Sequence, residues 1–526
     1  MTSKFTPPVR VLRGRRVLAA YHESPVPDYV GNPLIEALPP IYSDLEAAGR
    51  MAVYPRFDEA QRSQPAHIRL HLIQAALRFF VALPVHLDLE QRFSRMIRVG
   101  YQGRNPTASS YFGDLNQRLE GFAEIQESPT SIPTGFTILG MSGVGKTSAL
   151  TAVLRLYPQV VIHSRYGDRE FDHLQLVWLK LDCPYDGSTK GLCLNFFQAV
   201  DDLLGTAYYE SYAAGRRTVD ELIPRMARVA SLHSLGVLVV DEMQHLSGAK
   251  SGGGKLMLNF FVTLSNELGL PVVLVGTYKA QAVLAGELRQ IRRGTGQGDL
   301  IWDNMQPDEV WDFFLESLFR YQYLLHPTSL TTELNQTLYE ISQGITDFAV
   351  KIFMLAQFRA IATREEKLSA RIFRSVAKDS LRSATSVLTA LRNRDYRILT
   401  TLEDVHPIDL EPYLHEARQR VALRQLRENQ PSERREPATP ALESPASGTD
   451  AGGQSGPPPK PGLRTGLQSA IAQGVKRRQA AYEALNRAGF IRAAREFLLP
   501  SESAPRGSGA GHETNCKIGH LDVAPH

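Results

Sequence analysis

A chain of 526 residues exceeds the size at which a single hydrophobic core stops growing, so one large core with accessory domains, roughly two to four folded units, is the expectation. Hydrophobic residues at 43% and charged residues at 22% exclude a wholly disordered chain, while a net charge of +4 and a pI near 8.8 are too small an excess to argue for nucleic acid alone. Cys183, Cys193 and Cys516 are too scattered for a disulfide framework and lack zinc-ligand spacing with histidines, which points to a reducing, cytosolic setting.

Near the N-terminus Lys4, Arg10, Arg13, Arg15 and Arg16 precede an apolar stretch, Val17 to Tyr21, far shorter than the hydrophobic region of a signal peptide. No apolar run approaches the roughly 20 residues of a membrane helix, so no membrane partner is expected. Residues 1–129 mix proline-rich loops with helical pattern, clearest over His67 to Val81, where Ile68, Leu72, Ala75, Ala76 and Phe79 recur at helical spacing. A helical N-terminal domain is predicted there. From Gly135 short β-rich runs are each followed by amphipathic helix: Phe136 to Leu139, Leu176 to Leu181, Val237 to Val240 and Val272 to Val275. Strands alternating with helices predict an α/β core over 130–305, a parallel sheet with helices on both faces.

Beyond residue 305 helical periodicity runs through Asp308 to Phe319, Leu334 to Ser342 and Asp347 to Ile361, predicting a helical lid and extension over 306–428. Eight prolines among Ser, Gly and Ala between 430 and 462 leave nothing to pack, so 429–462 is predicted to be a flexible linker. Helical pattern returns over 463–500 with Arg464, Lys476, Arg477, Arg478, Arg487, Arg492 and Arg495 against Glu483 and Glu496. This is either a docking tail for an acidic or nucleic-acid partner or a solvated helix. Residues 501–526 are expected to be disordered, and no internal repeats occur.

Gly140-Met-Ser-Gly-Val-Gly145-Lys146-Thr147 matches G-x-x-x-x-G-K-S/T, directly after the run Phe136 to Leu139 and opening the helical pattern Ser148 to Leu156. The chemistry requires these residue types. Backbone N–H groups of Gly140, Ser142, Gly143, Val144, Gly145 and Ser148 wrap phosphates at a helix N-terminus, Lys146 reaches the β and γ oxygens, and Thr147 Oγ1 ligates magnesium. ATP and Mg2+ are therefore the expected cofactors. A second apolar run ends in Asp241-Glu242, which supplies a carboxylate for the metal shell and a general base for the attacking water. Paired carboxylates there argue for hydrolysis, hence for an ATPase.

The run Pro271 to Gly276 ends in Thr277, and Arg289, Arg292 and Arg293 follow on a helix that stops at Gly294. One of these arginines either crosses a protomer interface to stabilise transition-state charge or closes a basic helix C-terminus. With these motifs in this order, residues 130–365 resemble an AAA+ module. In such a sheet the strand before Thr277 lies between the two phosphate motifs, where a small polar side chain senses the γ-phosphate.

Further segments narrow the resemblance: Leu179 to Leu192, Leu204-Gly-Thr-Ala-Tyr208, Asp241-Glu-Met-Gln-His-Leu246, Leu274-Val-Gly-Thr277, Ser342 to Lys351 and, upstream, Ile97 to Pro106. Over residues 70–400 the chain resembles TnsC, the ATPase regulator of TnsABC-type (Tn-seven-like) transposons, and the related, shorter TniB proteins. The resemblance implies a homo-oligomer, ring or helical filament, formed on double-stranded DNA with ATP and reset by hydrolysis. It implies TnsA/TnsB-like transposase subunits and a TnsD-like or RNA-guided target-selection protein as partners, in a bacterial cytoplasm at the nucleoid. The N-terminal part then serves the target selector and the 463–500 tail the transposase.

By family position, Ser188, Thr189 and Lys190 and also Arg216, Arg217 and Thr218 face DNA; Arg216 and Arg217 otherwise cap a solvated loop. Contacts of this kind go to phosphates and carry no sequence information. Many AAA+ lids place a sensor arginine three residues after a glycine, whereas here Gly344 is followed at that spacing by Asp347, leaving Lys351 as the nearest cation. A helicase loader or initiator-like ATPase is the alternative on the same core, and a nucleotide-binding signalling scaffold without turnover is a third reading that Glu242 opposes.

Overall fold

Residues 12–108, 111, 113, 135–213, 217–248, 253–280, 299–393 and 408–428 are described by a computed structural model, all within the unit Met1–Ser432. The predicted linker at 429–462, the basic helix at 463–500 and the terminus at 501–526 lie outside the described residues. The strands in chain order are β1 (Arg16–Leu18), β2 (Gly135–Gly140), β3 (Val160–Tyr166), β4 (Arg169–Leu176), β5 (Trp178–Asp182), β6 (Val237–Asp241), β7 (Val272–Gly276) and β8 (Asp299–Trp302). The helices that frame the site are α1 (Ala66–Ile73), α2 (Pro84–Gln102), α3 (Lys146–Leu154), α4 (Thr189–Leu204), α5 (Val219–Leu232), α6 (Gly253–Leu268), α7 (Glu309–Phe319), α8 (Thr332–Ser342), α9 (Thr346–Thr363), α10 (Ala370–Ser380) and α11 (Glu411–Glu428).

The central sheet has the order β5-β6-β7-β2-β8, and every neighbouring pair in it is parallel. Its strands are apolar on both faces, as a parallel sheet sandwiched by helices demands. Alternate residues divide between two cores. Phe136, Ile138, Val237, Val239, Val273 and Val275 face one core with Phe93 of α2, Leu150 of α3 and Phe353 of α9. Leu139, Leu238, Val240, Val272 and Leu274 face the other with Phe196 of α4, Met226 of α5 and Phe261 of α6. The architecture is that of an AAA+ P-loop fold, and β7 lies between the two strands that carry the phosphate motifs. No described helix is long and apolar enough to cross a membrane.

Two readings of the sequence change, and one sheet is added. The apolar run Leu176 to Leu181 is two strands: Leu176 closes the β3-β4 hairpin, Val177 bridges, and Trp178 opens the central sheet. Both segments are buried, so continuous apolarity conceals the change of sheet. A second sheet of order β1-β3-β4 had no forecast; β1 is three residues long and pairs with β3 far along the chain. The helix expected over His67 to Val81 stops at Ile73, continues as 3-10 helix to Arg78, and is extended at Phe79. From Leu70 to Phe79 its buried residues are Leu70, Ile73, Ala76 and Phe79, preceded by buried Arg69, whereas Ile68 is exposed. A spacing of three is the period of a 3-10 turn, not of an α-helix.

Two polar clamps fasten the N-terminal helices. Tyr101 Oη donates to Ser234 O (2.9 Å) and Arg104 Nη1 to Leu235 O (2.6 Å), tying the end of α2 to the approach of β6. On the lid side, buried Arg69 of α1 makes a bidentate pair with Glu366, at 2.7 and 2.8 Å, and also donates to Tyr323 O at 3.0 Å. Removing one partner of such a pair strands a buried charge. Glu366→Ala is accordingly expected to destabilise the fold by about 3–5 kcal/mol, measured as a lowered urea midpoint; a loss below about 1 kcal/mol would show the pair to be dispensable.

Candidate functional site

The phosphate loop joins β2 to α3 as its sequence predicts. Gly143 and Gly145 have φ of 82° and 102°, a left-handed conformation open to glycine at no steric cost, and it turns successive N–H groups inward. A Cβ on Gly140 would lie 2.1 Å from Trp302 O, so only glycine fits where the loop passes β8. Trp302 Nε1 in turn donates to Val144 O at 3.2 Å. Lys146 is buried, its Nζ donating to Gly140 O (2.8 Å) and Met141 O (2.6 Å). The lid sits directly on this loop: the Asp347 N–H at the start of α9 donates to Gly143 O at 3.2 Å and Thr346 Oγ1 to the same oxygen at 3.3 Å.

At the end of β6, buried Asp241 accepts from three donors. Its Oδ2 accepts from Thr147 Oγ1 at 3.1 Å and from Lys180 Nζ at 3.0 Å, and its Oδ1 from the Glu242 N–H at 2.9 Å. Octahedral magnesium with ligands near 2.1 Å places neighbouring oxygens about 3 Å apart, so the Thr147–Asp241 oxygen pair fits Mg2+. Lys180, on β5 beside β6, also contacts Asp182 Oδ1 at 2.5 Å. Burial pushes its ammonium down, the Asp241 and Asp182 carboxylates push it up, and the net direction is up, so it stays charged. Sequence reading missed Lys180; a single lysine inside the otherwise apolar run Trp178 to Leu181 was the available signal.

Glu242 follows in a left-handed backbone, φ 59°, unusual for a residue other than glycine, and lines the cleft. Thr277, just after β7, is 8% exposed and lines the cleft, and its Oγ1 is buried with no hydrogen-bond partner among the described residues. An orphaned hydroxyl there has the chemistry to meet a phosphate oxygen. Lys351 lines the cleft too and is paired with Asp347 Oδ2 at 2.8 Å.

The cleft, about 920 Å³, extends beyond the phosphate loop to a wall that sequence reading did not assign: Phe79, Phe80, Val81, Leu83 and His86 from the N-terminal region, opposite Met305 and Phe314. His86 packs against Phe80 and Trp302 with tilted rings, the centroids 4.8 and 5.4 Å away. Burial depresses its pKa to about 4, against a raising hydrogen bond to Val81, so the ring is neutral at physiological pH. Its Nδ1 accepts the Leu83 N–H at 2.9 Å. A neutral wall of aromatic and aliphatic side chains beside a phosphate cradle suits a nucleoside.

Of the residues expected to face DNA, Lys190 and Arg217 meet: Lys190 Nζ donates to Arg217 O at 2.9 Å. Ser188 caps α4 by accepting the Gly191 N–H at 3.0 Å, and Thr218 is exposed at the start of α5. Thr189 is 7% exposed and turned inward, so it adds nothing to that surface. Arg216, Arg289, Arg292 and Arg293 lie outside the described residues. Cys183 and Cys193 are buried free thiols, their pKa pushed up to about 12 chiefly by burial, and take no part.

Residues 134–284 match the family model described as an AAA domain. This segment carries an AAA domain. That family implies nucleotide binding, which agrees with the cradle just described. No curated protein matches the chain. Among solved structures, the chain is similar to the ORC1 protein of Aeropyrum pernix in complex with DNA, at 15% identity over 60% of this chain and 82% of that one, with a TM-score of 0.34. Similar figures hold for ORC2 of Aeropyrum pernix in ADPNP-ADP complexes, with 15% identity, 60% and 87% coverage and a TM-score of 0.32. For Cdc6p from Pyrobaculum aerophilum they are 15%, 62%, 98% and 0.28.

Proposed function

We propose that the chain is an ATP-hydrolysing switch that assembles on double-stranded DNA and regulates transposition in the manner of TnsC, linking a target-selection protein to transposase subunits. The observation that carries this reading is the meeting of Lys190 with Arg217. Two segments that the TnsC resemblance assigns to DNA come together at one place, and the first directly follows β5, whose Lys180 touches the metal carboxylate Asp241. A phosphate backbone held there is mechanically close to the nucleotide.

In this mechanism Lys146 and the loop N–H groups hold the β and γ phosphates, while Thr147 and Asp241 are the groups to hold magnesium. Magnesium, when bound, supplies Lewis-acid charge to the phosphate oxygens. Glu242 takes a proton from water as the water oxygen bonds to the terminal phosphorus. The bond to the bridging oxygen then breaks, with its electron pair leaving on ADP. Thr277 Oγ1 and Lys351 are the cleft groups to sense the terminal phosphate, and one of Arg289, Arg292 and Arg293 is the candidate to act across a subunit interface.

Lys190→Ala and Arg217→Ala test the DNA part. Each is expected to weaken duplex binding and to lower the slope of log affinity against log salt by about 0.9 per lost phosphate contact, with ATP affinity unchanged. Fluorescence anisotropy over a salt series measures this, and unaltered duplex affinity in both variants removes the assignment.

A further inference from the structure

Gln244 belongs to the segment Asp241 to Leu246 but has had no role so far, and its side chain bonds to both sides of the reaction centre. The chain leaves β6 at Asp241, passes Glu242, and turns into 3-10 helix over Met243–Gly248. That tight turn brings Gln244 back under the end of β7, where it is only 5% exposed. Its Nε2 donates to Glu242 Oε2, and its Oε1 accepts the Thr277 backbone N–H at 3.1 Å.

The orientation of this amide is fixed by chemistry. A backbone N–H can only donate, so it must meet the amide oxygen. An ionised carboxylate can only accept, so it must meet the amide nitrogen. Both partners are set by the backbone: Thr277 by following the last residue of β7 directly, Glu242 by its left-handed φ of 59°. Glu242 is otherwise an exposed side chain. Holding Oε2 confines the carboxylate and leaves Oε1 as the oxygen available to accept a proton.

We infer that Gln244 is a positioning residue that locks the Glu242 carboxylate to the strand bearing Thr277, so that the base and the phosphate-sensing strand move as one. The inference rests on the hydrolytic reading above and deepens it. The two bonds just described run to the Glu242 carboxylate and the Thr277 backbone, so the expected effect is on the chemical step. A misplaced base costs rate steeply, about 10- to 100-fold for a shift near 1 Å.

The test uses the full chain with two variants of similar length. Gln244→Met removes both hydrogen bonds, and Gln244→Glu turns an acceptor toward the Glu242 carboxylate. Single-turnover hydrolysis and the Kd of a slowly hydrolysed ATP analogue are measured on each, and again in a Glu242→Gln background. Expected is a fall in the rate of about 10-fold or more with Kd within about twofold in whichever variants fold, and no further fall in the Glu242→Gln background. A rate near wild type in either folded variant, an equal loss of rate and affinity, an undiminished effect in the Glu242→Gln background, or failure of both variants to fold overturns the inference. Wild-type protein that binds ATP but turns none over removes the hydrolytic reading and this inference together. Wild-type turnover matched by Gln244→Met removes the inference alone.

Discussion

Lys146→Ala is expected to reduce ATP affinity by about 100-fold or more and to abolish nucleotide-dependent assembly on DNA. The ammonium is buried beneath the loop and held by two of its carbonyls, at Gly140 and Met141. It is thus fastened to the loop whose backbone Gly143 and Gly145 turn through a left-handed conformation. Each charge-assisted hydrogen bond from it to a phosphate oxygen contributes about 1.5–3 kcal/mol. Losing two therefore accounts for the expected change. Isothermal titration with an ATP analogue measures the first part and sedimentation with duplex DNA the second. Assembly by Lys146→Ala equal to that of wild type contradicts the nucleotide's role.

Glu242→Gln should have the opposite phenotype, with nucleotide and DNA held and not released. The substituted amide keeps an oxygen to accept from Gln244 Nε2, so the local geometry has reason to persist, but it cannot take a proton. General-base catalysis contributes about 100- to 10,000-fold, and the hydrolysis rate is expected to fall by that order while ATP affinity stays within about twofold. Assemblies on DNA should then outlast those of wild type in a chase with excess competitor duplex. Turnover undiminished by the substitution moves the base to another residue.

Much of this site was legible in sequence because its parts are local. The glycines, Lys146 and Thr147 belong to one loop whose backbone must fold tightly around phosphates, and Asp241-Glu242 end a run too apolar to be anything but a buried strand. Thr277 became readable once the strand order of the fold was assumed, and β7 does lie between β6 and β2. What escaped depends on topology. Lys180 gains its role from β5 lying beside β6, and Gln244 from a 3-10 turn that no periodicity signals. Phe80 and His86 acquire theirs because an N-terminal segment, distant in sequence, closes the cleft against Trp302. The β1-β3-β4 sheet was hidden for the same reason, since three residues of edge strand carry no pattern until their partner is known.

Electron microscopy of the full chain with duplex DNA and a slowly hydrolysed ATP analogue tests most directly whether nucleotide joins subunits around a double helix. Regular oligomers should form on the duplex with the analogue, with the phosphate loop of each subunit at a subunit boundary, and should disappear with ADP. Monomers under both nucleotides, or oligomers indifferent to which nucleotide is present, contradict it.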